Sequence, residues 1–529
     1  MAVNESKHEA MAVIEHDEDA GANHGLDPER SGSASDAMGF KAAVRLYPKV
    51  VGWCLALTTA ILLWGYDMVI VGSITAVPAF QRDYGFWSES ENDYIFPATW
   101  LGLWSASSPL GATFGSIAGG FIQDRIGRKR SLNIGSIICF VGIVIIFCSQ
   151  WVSHLDSKRA TFFAGKVVQG FATGIIKIQC LTYISENAPT ALRGSAMALV
   201  PTFTLLGQLI GAVVIYSIND IESARGYLIA IGSQWILSLA PFILSFVMPE
   251  SPAYLIRHGR EDAAMHSIRR LVAPKVDPQS VFDRTKYTID QEARMASEVR
   301  FADCFNKAHI RRTMIILFAN FIPTLFGLDL LATSSYFLQV VGMDSGTSLI
   351  LLISGIVLGM IANGAALWVL TRVGRRRVTI ATLGLSSLLY TGMGIAGIWN
   401  GNPTIIYSAV TLSAVIFVCG LGCWPAAYAI MGETSALRLR AKSQALGGVS
   451  QQIASIVFKF VLPYIFNPDA GNLKAKTGFV YTGLCAIGVV GTFLYVPEMK
   501  GRNALEIDQM FEMGLKAREF KSWSRTVET

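Results

Sequence analysis

Apolar residues in this chain fall in runs of roughly 20, the length a helix needs to cross a hydrocarbon core about 30 Å thick. Twelve such runs are readable. Six lie at 51–77, 98–122, 131–150, 161–185, 195–218 and 226–248. Six more lie at 313–341, 347–370, 377–399, 404–432, 443–466 and 477–496. The pattern predicts an all-α membrane protein with twelve transmembrane helices. Gly and Pro inside the runs do not argue against this, because neighbouring helices re-satisfy freed backbone groups.

The polar intervals orient the spans. DRIGRKR at 124–130, RVGRRR at 372–377 and RLRAK at 438–442 put basic clusters in loops that follow even-numbered spans. In the first loop Arg82 stands instead against Asp83, Glu89, Glu91 and Asp93. Basic loops stay in the cytosol, so both termini are expected there. The expected organisation is a disordered N-terminal tail at 1–48 and a six-helix half at 49–248. A cytosolic loop with amphipathic helices follows at 249–312, then a second half at 313–496 and a C-terminal tail at 497–529. The opening 40 residues, with EHDEDA and SGSASDAMG, carry no cleavable signal and too little apolar surface to fold.

Composition sharpens this picture. Charged residues make up 16% of the chain, against about 25% in soluble domains, and the mean hydropathy is +0.43. The net charge of +6 sits in short loops and marks orientation, so no nucleic-acid partner is expected. Seven of eight cysteines fall in apolar runs, with Cys304 in the central loop. Their spacing gives no metal site, and no cofactor is expected. No nucleophile–base pair or phosphate loop is visible, which argues against an enzyme.

An internal duplication organises the chain. DRIGRKR matches TRVGRRR at 371–377 at an offset of 247, and Glu186 with Arg193 matches Glu433 with Arg440 at the same offset. Pro249–Glu250 matches Pro497–Glu498 at 248. Six spans separate each pair, so the halves share one topology, and a parallel repeat of that kind places a substrate site between the halves at mid-depth. Asp124, Arg125, Arg128, Glu186, Arg193, Arg372, Arg375, Glu433 and Arg440 are candidate cytosolic gating ion pairs, an acid at a helix end pairing with an arginine of the following loop. The alternative is that these arginines only set orientation.

At these residues the chain resembles the sugar porter family of the major facilitator superfamily. The matching segments are GYD at 65–67, GGFIQDRIGRKR at 119–130, YISENAPTALRG at 183–194, PESPAYLIRHGR at 249–260, RVGRRR at 372–377 and VPEMKGRNALEIDQMF at 496–511. It is most similar to the fungal α-glucoside, maltose-type proton symporters, through GYDMVIVGSITAVPAFQRDYG at 65–85, QCLTYISENAP at 179–189 and PAAYAIMGETSALRLRAK at 425–442. The resemblance implies the major facilitator fold and proton-coupled uptake of a sugar, an α-glucoside such as maltose or a hexose, at a plasma membrane by a monomer. It also points to Gln208, Tyr428, Gln451 and Gln452 as binding-wall residues. The chain departs from the family in span seven. Pro323, Thr324 and Asp329 stand around Gly327 where paired glutamines and an asparagine are usual. In span four it has Gly165–Lys166 in place of glycine–arginine; the α-glucoside branch departs at both places too.

An ionisable group near the bilayer centre costs about 2.5–3.5 kcal/mol and so points to function. Asp67, Lys166, Lys177, Asp329 and Lys459 qualify. At 1.5 Å per residue, Asp67 lies roughly 5 Å and Lys166 roughly 10 Å outside the middle of their spans. A lysine stem covers the difference, so the two are expected to form the proton-coupling pair. Lys177, three turns after Lys166, is expected to face the same cavity from the inner half. Asp329 and Lys459 are expected to pair on the outer cavity wall. Two other classes compete with a sugar symporter: a carrier of another polar metabolite or organic acid, and a nutrient receptor that does not transport.

Overall fold

The computed structural model describes residues 40–521 and Trp523, other than Ser90, 297–299, Asn400, 437–438, Gly501 and Asn503. Residues 1–39 of the expected N-terminal tail lie outside the described residues. Each predicted span falls on a helix or an interrupted pair or trio of helices. The first half holds α1 (Pro48–Ile74), α2 (Ala98–Ile126), α3 (Arg128–Cys148), α4 (Leu155–Asn187), α5 (Thr190–Ser217) and α6 (Arg225–Val247). The second holds α7 in three pieces (Ile310–Leu325, Leu328–Ala332 and Ser334–Val341), α8 (Ser345–Val373) and α9 (Arg375–Ala396). Then come α10 in two pieces (Asn402–Leu421 and Cys423–Thr434), α11 (Arg440–Phe466) and α12 (Thr477–Tyr495). Eleven of these spans are long and apolar enough to cross a bilayer. The twelfth, α2, is rich in Gly and Ser. Its Gly111 and Gly115 lie against α4 so closely that an added Cβ would meet the backbone of Val167 and Phe171. Small residues give up hydropathy and in return let helices cross closely.

The packing repeats as the sequence does. In the first half α1 lies on α5, α2 on α4 and α3 on α6; in the second, α7 lies on α11, α8 on α10 and α9 on α12. The halves meet through α2 against α11 and α5 against α8. One end of the bundle carries the arginine loops. The other carries a short antiparallel hairpin, β1 (Phe86–Ser88) with β2 (Asp93–Ile95). There Asp344 caps α8 by accepting the Thr347 N–H at 2.8 Å, and that hydrogen bond holds its carboxyl below the usual range.

Hydrogen bonds between the halves gather at the hairpin end. Gln81 donates to Gln339 at 2.8 Å, and Gln339 donates to the Ala76 carbonyl at 2.7 Å. Asn467 donates to the Phe96 carbonyl at 2.7 Å, Asp469 accepts the Ala98 N–H at 2.8 Å, and Lys474 pairs with Glu91 at 2.8 Å. Among the described residues, the hydrogen bonds of the arginine clusters stay within one half. The bundle is therefore fastened at the hairpin end. The segment between the halves forms three helices, Pro252–Arg257, Glu261–Val272 and Pro278–Ala296. The amphipathic middle one buries Ala264, Ile268 and Leu271 in a cluster with Val50 at the base of α1.

Candidate functional site

Asp67 on α1 and Lys166 on α4 form an ion pair whose side chains are both 1% exposed. Gly165 lets α4 press against α3 here, because an added Cβ would stand 2.8 Å from the Ile146 nitrogen. The second Asp67 oxygen accepts from Ser108 Oγ of α2. Lys166 also donates to Gln169 Oε1 at 3.1 Å, and Gln169 Nε2 donates to Gln234 Oε1 of α6 at 2.5 Å. A buried ion pair is tolerated when its spare lone pairs and protons are satisfied, and removing one partner costs about 3–5 kcal/mol. This pair meets that condition through groups on α2, α4 and α6. Ser108, Gln169 and Gln234 escaped the sequence reading. Gln169, one turn after Lys166 on the same face, was the available signal.

Asp67 also borders a cavity between the halves with about 630 Å³ of empty space. Trp64, Met68, Ser105 and Ser108 line it from the first half, and Thr333, Gln452, Ser455 and Lys459 from the second. A second recess of about 290 Å³ is walled by Thr75, Ser105, Asp329, Tyr336 and Lys459. Lys459 borders both spaces and Asp329 the second. Lys459 Nζ lies 4.0 Å from Asp329 Oδ1, which also accepts from Ser455 Oγ at 3.1 Å. The break in α7 places Asp329. Gly327 takes a left-handed φ of +86°, and an added Cβ would sit 2.8 Å from the Tyr390 hydroxyl and from the Tyr481 ring. The Ser105 hydroxyl, which borders both spaces, is buried with no partner among the described residues.

The remaining expected residues separate. Gln452 lines the cavity; Gln451, its neighbour, does not border it. Gln208 is half-buried behind the wall, its amide nitrogen 3.9 Å from Met68 Sδ. Tyr428 is 45% exposed and does not border the cavity. Lys177, expected at the cavity, is half-buried and reaches the cavity wall through Trp64. Its ammonium lies 3.7 Å from the centroid of the Trp64 ring, and it is Trp64 that borders the cavity.

At the basic end the duplicated motifs build two corresponding corners. Gly127 (φ +95°) and Gly374 (φ +99°) turn the chain into α3 and α9. Glu250 then accepts from the Arg128 N–H at 2.8 Å and the Lys129 N–H at 3.2 Å, and Glu498 from the Arg375 N–H at 3.2 Å. The repeated Pro–Glu is thus a helix cap borrowed from the end of α6 or α12, satisfying orphan N–H groups at a dipole's positive end. The sequence showed the repeat but not this role. Glu186 binds Arg128 through two nitrogens, at 2.7 and 3.0 Å; Glu433 binds Arg375 at 2.7 Å. Each acid pairs with the arginine of the earlier loop in its own half. Asp124 lies 3.5 Å from Arg128. Arg440 Nε is buried with no partner among the described residues, and the Arg193 side chain lies outside those described. Arg125 lends its carbonyl to the Tyr254 hydroxyl, and Arg372 lies over Trp368.

Comparison with known proteins bears on the family and the fold. An MFS transporter of Aspergillus fumigatus, fmqE, is 30% identical over 88% of this chain and 86% of its own. The alpha-glucosides permease MPH3 of Saccharomyces cerevisiae is 28% identical over 94% of this chain and 83% of its own. The xylose transporter XylE from E. coli, in a partially occluded inward open conformation, superposes with a TM-score of 0.69 at 17% identity, covering 86% of this chain and 100% of that one. That likeness shows the twelve-helix fold. The sugar (and other) transporter family matches residues 53–511, and the chain belongs to it, a multi-pass integral membrane carrier and not an enzyme.

Proposed function

We propose that the chain is a proton-coupled symporter of a sugar, by alternating access of the cavity between the halves, working as a monomer in the plasma membrane with both termini in the cytosol. The observation that carries this reading is the sealed Asp67–Lys166 pair on the cavity wall. Protonation of Asp67 frees Lys166 and loosens the junction of α1, α2 and α4; loss of the proton restores the pair and resets the carrier. Asp67, Lys166, Gln452 and Lys459 act at the cavity, with Asp329 behind Lys459. Yeast relatives bearing alpha-glucoside and maltose permease names support an α-glucoside or hexose as cargo, and a structural neighbour described as a proton:xylose symporter supports the coupling. In this orientation the arginine clusters form the cytosolic gate and the hairpin end is the closed outer gate.

A second reading, transport of another polar metabolite, is favoured by Pro323 and Thr324, which offer no amide where sugar porters outside the α-glucoside branch commonly carry glutamines. Uptake of labelled sugars and organic acids in transporter-null cells, with and without an uncoupler, separates the two. We expect a sugar to accumulate and the uncoupler to abolish accumulation; accumulation that ignores the uncoupler ends the symport reading. In the same cells a cysteine replacing Glu89 should label from outside and one replacing Ser280 should not. The reverse pattern inverts the topology.

A further inference from the structure

Lys177 is the intramembrane charge that the coupling pair leaves unused. Among the described residues, no carboxylate lies within 4.0 Å of its ammonium, whose near neighbour is the Trp64 ring at 3.7 Å. Trp64 borders the cavity, so the ammonium rests on a ring that forms part of the cavity wall. The other charges cancel in pairs, Asp67 with Lys166 and Asp329 with Lys459. Lys177 therefore leaves the site with one net positive charge. An ammonium held against one indole face withdraws electron density from the ring. The cavity side then attracts negative charge and stacks less well on the C–H face of a neutral sugar. In a low-dielectric wall such a charge acts across the thickness of a ring.

We propose that Trp64 and Lys177 form a specificity element that selects a sugar bearing one negative charge, a sugar acid. The inference rests on the sugar-transport reading and narrows it. It has an electrical consequence: a proton entering with a monoanion moves no net charge, whereas a proton entering with a neutral sugar moves one.

The test uses the full chain in liposomes under an imposed pH gradient, with the membrane potential clamped by potassium and valinomycin. Two matched pairs of labelled probes are compared, D-glucose with D-glucuronate and maltose with maltobionate. We expect the acid of a pair to accumulate about tenfold better, with uptake indifferent to the clamped potential. Lys177→Met should lower uptake of the acid about tenfold and leave the neutral partner within about twofold; Lys177→Arg, which keeps the charge, should preserve the preference. A neutral sugar accumulating in preference to its acid overturns the inference and leaves the sugar reading standing. An acid preference unchanged by Lys177→Met overturns the assignment to Trp64 and Lys177. If no member of either pair accumulates, the sugar reading fails and this inference fails with it.

Discussion

The two halves each hold one acid–lysine pair at the cavity, and they hold it differently. Asp67 and Lys166 are sealed at 1% exposure, with further hydrogen bonds to Ser108 and Gln169. Asp329 and Lys459 stand 4.0 Å apart at 8% and 11% exposure, with Ser455 as the one added donor among the described residues, and Asp329 follows the break at Gly327. A sealed and fully hydrogen-bonded pair stays charged only while both partners are present, so protonation of one member disturbs everything packed around it. A looser pair on the wall can trade one partner for a ligand. On the proposed function, the same chemistry serves as a switch in one half and as a contact surface in the other.

This contrast can be broken by experiment. The largest effect is expected at Asp67. A proton crossing the field is worth about 2.3 kcal/mol per 100 mV, roughly fifty-fold in concentration. Asp67→Asn should lose that accumulation entirely while exchange of substrate across the membrane persists. The lone Lys166 also costs stability, so Asp67→Asn with Lys166→Met should melt higher than Asp67→Asn alone. Retained uphill transport in either variant would remove the switch. In the other half, Asp329→Lys or Lys459→Asp alone should raise KM about tenfold, and the two together should return it to within about threefold. A double exchange no better than either single one shows that the pair does not act as a unit. The smallest effect is expected at the corners. Arg128 is 3% exposed and doubly bonded to Glu186, whereas Arg375 is 22% exposed and bonded once to Glu433. Glu186→Gln should cost about 1–2 kcal/mol of thermal stability and Glu433→Gln about half that. Equal losses would mean that the halves are equally tight at the basic end.

Much of the fold was legible because a bilayer demands long apolar runs and a duplicated chain repeats its loop signals. Breaks were not. α7 and α10 read as single spans at 313–341 and 404–432, because Gly327 and Gly422 are as apolar as any helical residue and the backbone turns there for reasons of packing. Depth arithmetic brought Asp67 to Lys166 and Asp329 to Lys459, since charges in lipid have few places to go. For Lys177 periodicity gave the right helix face, beside the cavity-lining Trp64, but could not show that the ammonium would rest on that indole. Uncharged partners such as Ser108 and Gln234 left no mark, because a single serine or glutamine in a span costs too little to stand out.

The fastening at the hairpin end sets a clock. Gln81, Gln339, Asn467, Asp469 and Lys474 tie one half to the other through several contacts within a short distance. Each is worth only about 0.5–1.5 kcal/mol net once water replaces it, so the open and fastened arrangements can be nearly equal in free energy. The buried ones, at Gln81 and Asn467, must however loosen before water has entered to replace them. Such a barrier slows separation of this face, and each 1.4 kcal/mol in it alters the rate about tenfold. Turnover would then follow the strength of residues that never touch the cargo, and homologous carriers could differ in speed while keeping the same affinity.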